Sequence, residues 1–444
     1  MRPDPHSLLR ASVPVASTIR GRRAGYADYH TSLFMRREAH LLKLPPHVHL
    51  ALAQQKFVRW IRGLSSLSQT DLSWNDFNAQ VLAQRTAYKG VLIQEAIIDW
   101  NVPLFQRPQH IATALGRRGY LVIYKTFNLC GDNVDGFREI SKNVWLTNKN
   151  QVNKLEGVVR LVCSTDFTHT PDLLLSNRKR GVLVYDYIDH IDPQISGENT
   201  IQRLIALKDF AFSGGVDYII ATARRLEAEA IEAVGRDKVI LIQNGVDKGH
   251  YRDPTHGTTD LPTDFAAFKS RYSNIVGYFG ALAPWLWYEA IAELAERRKD
   301  LGFVFIGPSY NGGLDQLPTS ENVLYLGVVE YSVLPAYGRQ FDVGIIPFAP
   351  GEIARTTSPL KLFEYFALEK PVVVTSEMIE CVVFKEVFSG DSANTISQAI
   401  DRAIDVKANP EFKKRLAQLA DENDWGERVR NMEPLFSRLN DRRG

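Results

Sequence analysis

The amino-acid sequence predicts an α/β protein with two doubly wound, Rossmann-like domains whose parallel sheets face a cleft, preceded by a helical N-terminal extension. Three observations support this fold class. Short, continuously apolar runs alternate with segments of helical periodicity, as expected for parallel strands that helices cover on both faces. The alternation occurs twice, on either side of a polar interval. The length of 444 residues also exceeds what one ordinary core accommodates.

Composition narrows the class of protein. Hydrophobic residues make up 45% of the chain and charged residues 23%, which is typical of a globular protein. The formal net charge of +2 argues against a nucleic-acid binder that depends on a general positive field. Cys130, Cys163 and Cys381 lie far apart, so neither a disulfide framework nor a zinc site is expected. A reducing, cytoplasmic location fits this cysteine pattern.

Residues 1–89 are predicted to form the N-terminal extension. Charges and prolines interrupt its apolar pieces before a signal-peptide core of sufficient length appears, and no later run is long enough to span a membrane. Residues 47–64, HVHLALAQQKFVRWIRGL, have apolar positions at helical spacing. This helix could pack on the main body. Alternatively, Arg59, Trp60 and Arg62 could contact a partner or, peripherally, the inner face of the membrane.

The first domain is predicted over residues 90–247. Helices are expected to begin near Pro108, Asn199 and Arg224. The apolar runs between them are read as strands. They are GVLIQEAII (90–98), LVIYKTF (121–127), VVRLVCS (158–164), GVLVYDYI (181–188), VDYIIAT (216–222) and KVILIQN (238–244).

A linker over residues 248–272 leads to a second domain over residues 273–424, and a C-terminal helix over residues 425–444 is predicted to cross back to the first domain. Helices are expected over residues 287–298 and 333–338 and from Pro359 onward. The predicted strands of this domain are NIVGYFGAL (274–282), GFVFIGP (302–308), NVLYLGV (322–328), FDVGIIPF (341–348) and KPVVVTS (370–376). Ligands of such sheets bind at the carboxyl ends of the strands.

One stretch, RTTSPLKLFEYFALEKPVVV (355–374), combines a polar loop, an amphipathic helix and a strand. Ser358 followed by Pro359 predicts a helix start, because the serine hydroxyl can accept an orphan N–H and proline has none to leave unpaired. The free amides and the helix dipole suit a phosphate, and Lys361 adds a full charge. The helical pattern places Lys361 and Glu364 on the exposed face, where they could equally form an ordinary surface pair.

This stretch resembles the donor-binding signature of retaining glycosyltransferases with the GT-B fold, the group 1 or family 4-like enzymes that include many bacterial polysaccharide enzymes. Supporting segments occur in the order found in that family, and the resemblance covers about residues 90–440. They are QRPQHIATALGRRGY (106–120), QNGVD (243–247), VGYFGAL (276–282) and YLGVVEYSVLPAYGRQFDVGIIPF (325–348). The resemblance implies a nucleotide-diphosphate sugar as donor substrate, a glycan or lipid-linked acceptor and no separate cofactor. The near-balanced charge predicts that there is no nucleic-acid partner.

The resemblance also implies roles for particular residues. A glutamate at the position of Glu364 binds the donor ribose in the family, and a second glutamate lies eight positions earlier, where this chain has Thr356. The family's Arg and Lys after the glycine loop are missing as well, because GALAPWLWYEA (280–290) has aromatic residues instead. The diphosphate would then be held by Arg355, Ser358, Lys361 and helix amides. The predicted donor-binding residues are Gly280, Arg355, Thr356, Thr357, Ser358, Lys361 and Glu364.

In the first domain, polar residues follow the strands that begin at Gly90 and Gly181. Gln106, Arg107 and His110 belong to the first loop and helix, and Asp186, Asp189 and His190 lie at the end of GVLVYDYI. An aspartate or histidine in the corresponding region of related enzymes contacts the donor sugar. The predicted catalytic residues are therefore Asp189, His190 and Arg107, with Gln106 and His110 in the cleft or at the acceptor. A structural role is the alternative for Arg107 and for His190.

No DxD pair in a metal-holding context is present, so no metal is expected at the site. Two other functions are compatible with parts of this pattern. A non-catalytic GT-B subunit that binds nucleotide or glycan would explain the threonine at position 356. A dinucleotide-dependent oxidoreductase would need a GxGxxG turn after a first strand, and neither LFQRPQ (104–109) nor GALAPW (280–285) supplies it.

Overall fold

The structure is a computed structural model, and its two parallel-sheet domains confirm the predicted fold class. Of the predicted extension, the described part is helical: α1 (Trp74–Gln80) begins after Ser73, whose hydroxyl accepts the N–H of Asp76, and a 3₁₀ helix follows at Leu82–Ala87. The segment around Trp60, with its alternative of membrane contact, lies outside the described residues. The structure describes residues 71–102, 104–128, 131–197, 199–255 and 261–441.

The first sheet has the strand order β3-β4-β2-β1-β5-β6-β7-β8, and every pairing except β3 with β4 is parallel. The antiparallel edge strand was not predicted, because FREIS (137–141) is mostly polar and resembles a loop. The strands are β1 (Val91–Glu95), β2 (Leu121–Lys125), β3 (Phe137–Ser141), β4 (Val144–Thr147), β5 (Val158–Cys163), β6 (Gly181–Tyr187), β7 (Tyr218–Ala221) and β8 (Val239–Leu241).

Helices cover this sheet and connect its parallel strands. The α-helices of the domain are α2 (Arg107–Arg117), α3 (Pro171–Arg178), α4 (Pro193–Ser196), α5 (Ile201–Phe210) and α6 (Arg224–Val234). Proline occupies a first-turn position of α2, α3 and α4, where its missing N–H costs no hydrogen bond. Apolar side chains from alternate strand positions are buried on both faces, as a doubly wound sheet requires.

Two helices, α7 (Lys248–Arg252) and α8 (Thr263–Lys269), lead into the second sheet, which has the order β11-β10-β9-β12-β13-β14 and is parallel throughout. The strands are β9 (Asn274–Phe279), β10 (Leu301–Ile306), β11 (Val323–Tyr325), β12 (Val343–Ile346), β13 (Val372–Thr375) and β14 (Val387–Gly390). The helices are α9 (Tyr288–Arg297), α10 (Gly313–Gln316), α11 (Leu334–Gly338), α12 (Glu352–Thr356), α13 (Leu360–Ala367), α14 (Ile379–Val382), α15 (Ala393–Val406) and α16 (Pro410–Glu422).

The chain then returns to the first domain through α17 (Trp425–Arg430) and α18 (Glu433–Asp441). Buried side chains of these helices, including Trp425 and Leu435, join the core of the first sheet. The returning chain runs beside the outgoing one, because Val246 pairs with Asp424 in a parallel bridge. The two domains are therefore connected by two adjacent crossings.

A network of buried charges lies at the carboxyl ends of β1 and β5. Glu95 contacts Arg160 at 3.2 Å and Lys125 at 3.5 Å. His169 Nε2 lies 3.2 Å from Asp166 and 3.5 Å from Glu95. Burial alone would lower the pKa of His169, but the two carboxylates raise it above its ordinary value. Protonated His169 therefore stabilises this end of the first sheet.

Candidate functional site

The helix α13 points its N-terminal end at the first domain. The side-chain amide of Asn244 donates to the backbone carbonyl of Ser358 at 2.6 Å, and the backbone N–H of Asn244 donates to Ser358 Oγ at 3.2 Å. Asn244 Oδ1 in turn accepts from Arg107 at 3.2 Å. These contacts bring the predicted donor stretch against residues that follow β1 and β8.

The predicted cap of this helix is wrong. The N-cap residue is Pro359, in extended conformation, and no side chain caps the helix. Ser358 lies one residue too early, and its hydroxyl accepts a hydrogen bond from the other domain instead. Ser358 therefore links the two domains and does not cap the N-terminus of the helix.

Lys361, in the first turn of α13, lies beside Gly280 of the loop after β9. A Cβ atom added to Gly280, whose φ is +142°, would lie 2.8 Å from Lys361 Cε and 3.2 Å from Nζ. The ammonium also lies 5.3 Å from the ring centroids of Tyr278 and Phe348. Burial lowers the pKa of Lys361, although Glu364 and Asp189 both favour its charged form. The glycine loop and the lysine are thus one local site.

Glu364 is buried, with 6% of its surface exposed, so its predicted place on an exposed helix face is wrong. The reason is that α13 packs against the linker helix α7, whose buried Tyr251 lies near Glu364. Burial raises the pKa of Glu364, while Tyr251 and Lys361 oppose the rise. Burying a carboxyl group next to a lysine costs desolvation free energy, which argues against a purely structural role for this pair.

Asp189, from the loop after β6, is partly buried on the first-domain side and interacts electrostatically with Lys361. Burial raises the pKa of Asp189 to about 7, with Arg107 and Lys361 lowering it and Asp186 raising it. His190 is partly buried next to it in the same loop. The carboxyl group of Asp189 and the ammonium group of Lys361, which belong to different domains, thus interact electrostatically.

Arg107 is the first residue of α2, and 3% of its side chain is exposed. Its guanidinium binds both carboxylate oxygens of Asp186, through Nε at 3.2 and 3.0 Å and Nη2 at 2.9 Å. The charge of Arg107 is thus matched by Asp186, while its Nη1 donates to Asn244.

Gln106 and His110 have distinct environments. Gln106 precedes α2, and its backbone N–H donates to Gln109 Oε1 at 3.2 Å. His110 is stacked on Trp425 with a ring-centroid distance of 5.3 Å, and burial lowers its pKa to about 3. His110 is therefore a neutral residue of the interface between α2 and α17, and its geometry favours packing.

The remaining predicted donor residues lie in or next to α12. Arg355 pairs with Glu352 at 3.0 Å and with Glu377 at 2.9 Å. The hydroxyls of Thr356 and Thr357 each donate to a backbone carbonyl one turn earlier, at 2.6 Å. Thr356 is 2% exposed. The structure thus brings Gly280, Ser358, Lys361 and Glu364 together. It engages Thr356 and Thr357 within their own segment and pairs Arg355 with Glu352 and with Glu377, which follows β13.

A second contact between the domains was not predicted. Glu380 of α14, 2% exposed, accepts the backbone N–H of Arg224 at 2.7 Å, at the N-terminus of α6. It also accepts from the side chain of Gln243 and pairs with Arg224 Nη1 at 3.3 Å. No motif marks Glu380 in the sequence, since its partners lie more than 100 positions away. Asn244 did have a signal, the QNGVD segment, which is equally typical of a tight turn.

The described residues contain neither a metal-binding cluster nor a helix that could span a membrane. No group of three or more His, Cys, Asp or Glu side chains is arranged to hold a metal ion there. Within the same part of the chain, every helix is too short or too polar to cross a membrane.

The chain is similar to known proteins in a family model, in sequence and in fold. Residues 273–405 match the family model described as "Glycosyl transferases group 1". The putative teichuronic acid biosynthesis glycosyltransferase TuaH of Bacillus subtilis (strain 168) is 25% identical over 258 residues. That alignment covers 55% of this chain and 64% of the relative, which is less than two thirds of its length.

Several solved structures share the fold. The α,α-trehalose 6-phosphate synthase of Burkholderia multivorans aligns with a TM-score of 0.59 at 13% identity, covering 80% of this chain and 100% of the other. The sucrose-phosphate synthase of Thermosynechococcus elongatus gives 0.57 at 13% identity, with 80% and 99% covered. Anabaena HepE in complex with UDP gives 0.52 at 14% identity, with 78% and 99% covered.

Proposed function

We propose, from the premise that this chain has the GT-B fold and carries a group 1 glycosyltransferase domain, that it transfers a sugar from a nucleotide diphosphate to a hydroxyl group. The acceptor would be a glycan or a lipid-linked saccharide. The similarity to a teichuronic acid biosynthesis glycosyltransferase supports a role in bacterial surface polysaccharide synthesis. HepE, a structural neighbour, has been solved with UDP and with UDP-glucose, which makes these compounds the first to test.

The observation that carries this proposal is the position of Lys361. Its ammonium adjoins the backbone of Gly280 at the N-terminal turn of α13, with Glu364 one turn further along the helix. A diphosphate lying against Gly280 would contact both the lysine and the positive end of the helix dipole. Glu364 would accept hydrogen bonds from the ribose hydroxyls. Leaving-group charge would thus be stabilised without a metal ion.

We propose that Asp189 supplies the negative charge near the reacting sugar, because the neutral side chain of Thr356 cannot supply it. In the resembling family a glutamate stands near the reacting sugar, and Thr356 here is buried and bonded within α12. The carboxyl group of Asp189, in the opposite domain, interacts electrostatically with Lys361. When ionised, it would stabilise the positive charge that develops on the sugar as the diphosphate departs. Arg107, held by Asp186, would set the position and the pKa of this carboxyl group.

Retention of anomeric configuration is proposed from the resemblance. The incoming hydroxyl would then attack from the face that the diphosphate leaves, and a phosphate oxygen would accept its proton. The contacts of Asn244 with Ser358 and of Glu380 with Arg224 hold the two domains together around this point. Such closure excludes water and orients the acceptor against the donor.

The direct test is to incubate the protein with nucleotide sugars and candidate saccharide acceptors and to measure nucleotide diphosphate release and product. Lys361→Ala removes a charged hydrogen-bond donor worth about 1.5–3 kcal/mol, which corresponds to roughly 10- to 150-fold in donor affinity. Lys385→Ala, a change of an exposed lysine on the same domain, should leave affinity unchanged. Donor affinity that survives both Lys361→Ala and Glu364→Gln would rule the proposal out.

A non-catalytic GT-B subunit remains the second candidate. It is favoured by the threonine at position 356 and by Arg355, whose charge is matched by Glu352 and Glu377. This candidate predicts that nucleotide sugars bind and that Lys361→Ala weakens them, but that no acceptor receives sugar. Transfer to any acceptor would exclude it.

A further inference from the structure

Three aromatic residues, Trp285, Tyr310 and Phe348, form a cluster at the carboxyl edge of the second sheet. The ring centroid of Trp285 lies 5.7 Å from that of Tyr310 and 6.5 Å from that of Phe348. Phe348 is buried, whereas Trp285 and Tyr310 are only partly buried. Trp285 lies in the loop after β9, Tyr310 in the loop after β10 and Phe348 in the loop after β12. We call them the aromatic platform.

Backbone hydrogen bonds join these loops and hold the platform in place. Trp287 N–H donates to Pro347 O and Ala349 N–H donates to Trp285 O, both at 2.8 Å. Tyr310 N–H donates to Leu282 O at 2.8 Å. The backbone is thus paired on both sides of Trp285, and the rings need little rearrangement before they contact a ligand.

The platform extends from Lys361 in the second domain to α4 in the first domain. The ring of Phe348 is 5.3 Å from Lys361 Nζ, on the diphosphate side. On the other side, the hydroxyl of Tyr310 donates to the backbone carbonyl of Ile195 in α4, six positions after Asp189. A group attached to a diphosphate at Lys361 and directed toward the first domain would pass along Trp285 and Tyr310.

We propose that the aromatic platform binds the sugar ring of the donor, with Trp285 packing against the apolar face of C–H groups that a pyranose presents. This inference rests on the proposed function. It gives a physical account of the sequence GALAPWLWYEA: charged residues after a glycine loop bind phosphate, whereas aromatic side chains bind a surface that is apolar on one side and polar at its rim. Trp285 would therefore determine specificity for the sugar rather than affinity for the nucleotide.

The test compares the binding of a sugar nucleotide with that of its nucleoside diphosphate. UDP-glucose, UDP-N-acetylglucosamine, UDP-glucuronate and GDP-mannose are screened by thermal shift on the full chain, and the best is titrated calorimetrically together with UDP or GDP. In Trp285→Leu the sugar nucleotide should bind about tenfold more weakly, while the diphosphate changes less than about threefold. Trp285→Phe should retain most of the affinity for the sugar nucleotide. Trp287→Phe is the matched control in the same loop.

Thermal unfolding of the unliganded variants checks that each is folded, and Tyr310→Leu provides a second probe with the same expected loss. If Trp285→Leu weakens both ligands equally, or neither, the inference is wrong even though the proposed function stands. If only the KM of the acceptor rises, the platform binds the acceptor and not the donor sugar, which also overturns it. If no nucleotide shifts the unfolding of the wild-type protein, the proposed function itself fails.

Discussion

Replacing Arg107 by methionine should destabilise the first domain strongly. The side chains of Arg107 and Asp186 are 3% and 0% exposed, and three contacts of 2.9–3.2 Å join them. The variant keeps a side chain of similar length but leaves the Asp186 carboxylate buried without its partner. Breaking a buried pair in this way costs about 3–5 kcal/mol. At about 2–4 °C per kcal/mol for a domain of this size, Tm should fall by roughly 6–20 °C.

Calorimetry of the full chain would measure this change. The double variant Arg107→Met/Asp186→Leu removes both charges, so most of the lost Tm should return. Arg117→Met is the matched control at the other end of α2: its guanidinium is 59% exposed and pairs with Asp247. An exposed pair contributes about 0–1 kcal/mol, so the control should unfold close to the wild type. A single variant as stable as the wild type but weak in donor binding would refute the positioning role and make Arg107 a direct ligand.

Three further outcomes follow from the structure. Because the folded-state pKa of His169 is raised above 6.5, its stabilising charge is fully present below that pH and is lost as pH rises through the folded pKa; thermal melts should show Tm falling above pH 6.5 in the wild type and no such fall in His169→Gln. If ionised Asp189 is required, kcat should rise with pH through an apparent pKa of about 7, and Asp189→Asn should be slow with that inflection absent; an unchanged profile in the variant would assign the titration to another group. Gly280→Ala adds a Cβ 2.8 Å from Lys361 Cε, so nucleotide affinity should fall about tenfold, which is about 1.4 kcal/mol. Gly327 also has a positive φ, but a Cβ added there has no atom within 4 Å, so Gly327→Ala should bind the nucleotide normally in the same titration.

Much of the fold could be read from the sequence because its signals are local. The alternation of apolar runs and helical periodicity predicts two doubly wound domains, and both sheets confirm it. The hairpin of β3 and β4 escaped prediction because an edge strand need not be apolar. In the same way, the pairing of serine and proline at positions 358 and 359 predicts where α13 begins to within a residue or two, but not which group the serine hydroxyl binds.

Which residues form the site depends on contacts between segments that lie far apart in the sequence. From the sequence, Glu364 has the pattern of an exposed helix position, and only the packing of α7 against α13 buries it beside Tyr251. The Asn-Gly pair at positions 244 and 245 is typical of a tight turn, and only the tertiary structure places Asn244 in contact with both Arg107 and Ser358.

The sequence by itself determined which segments become strands and helices, because periodicity and capping are encoded within about a dozen neighbouring residues. It also determined which of the loops that follow the strands carry charged residues. Only the tertiary structure decided that Asp189 and Lys361, from different domains, interact electrostatically and that Glu380 accepts a hydrogen bond at the end of α6. These pairs are separated by well over 100 positions, and their energy depends on distance and burial, which no local pattern of residues specifies.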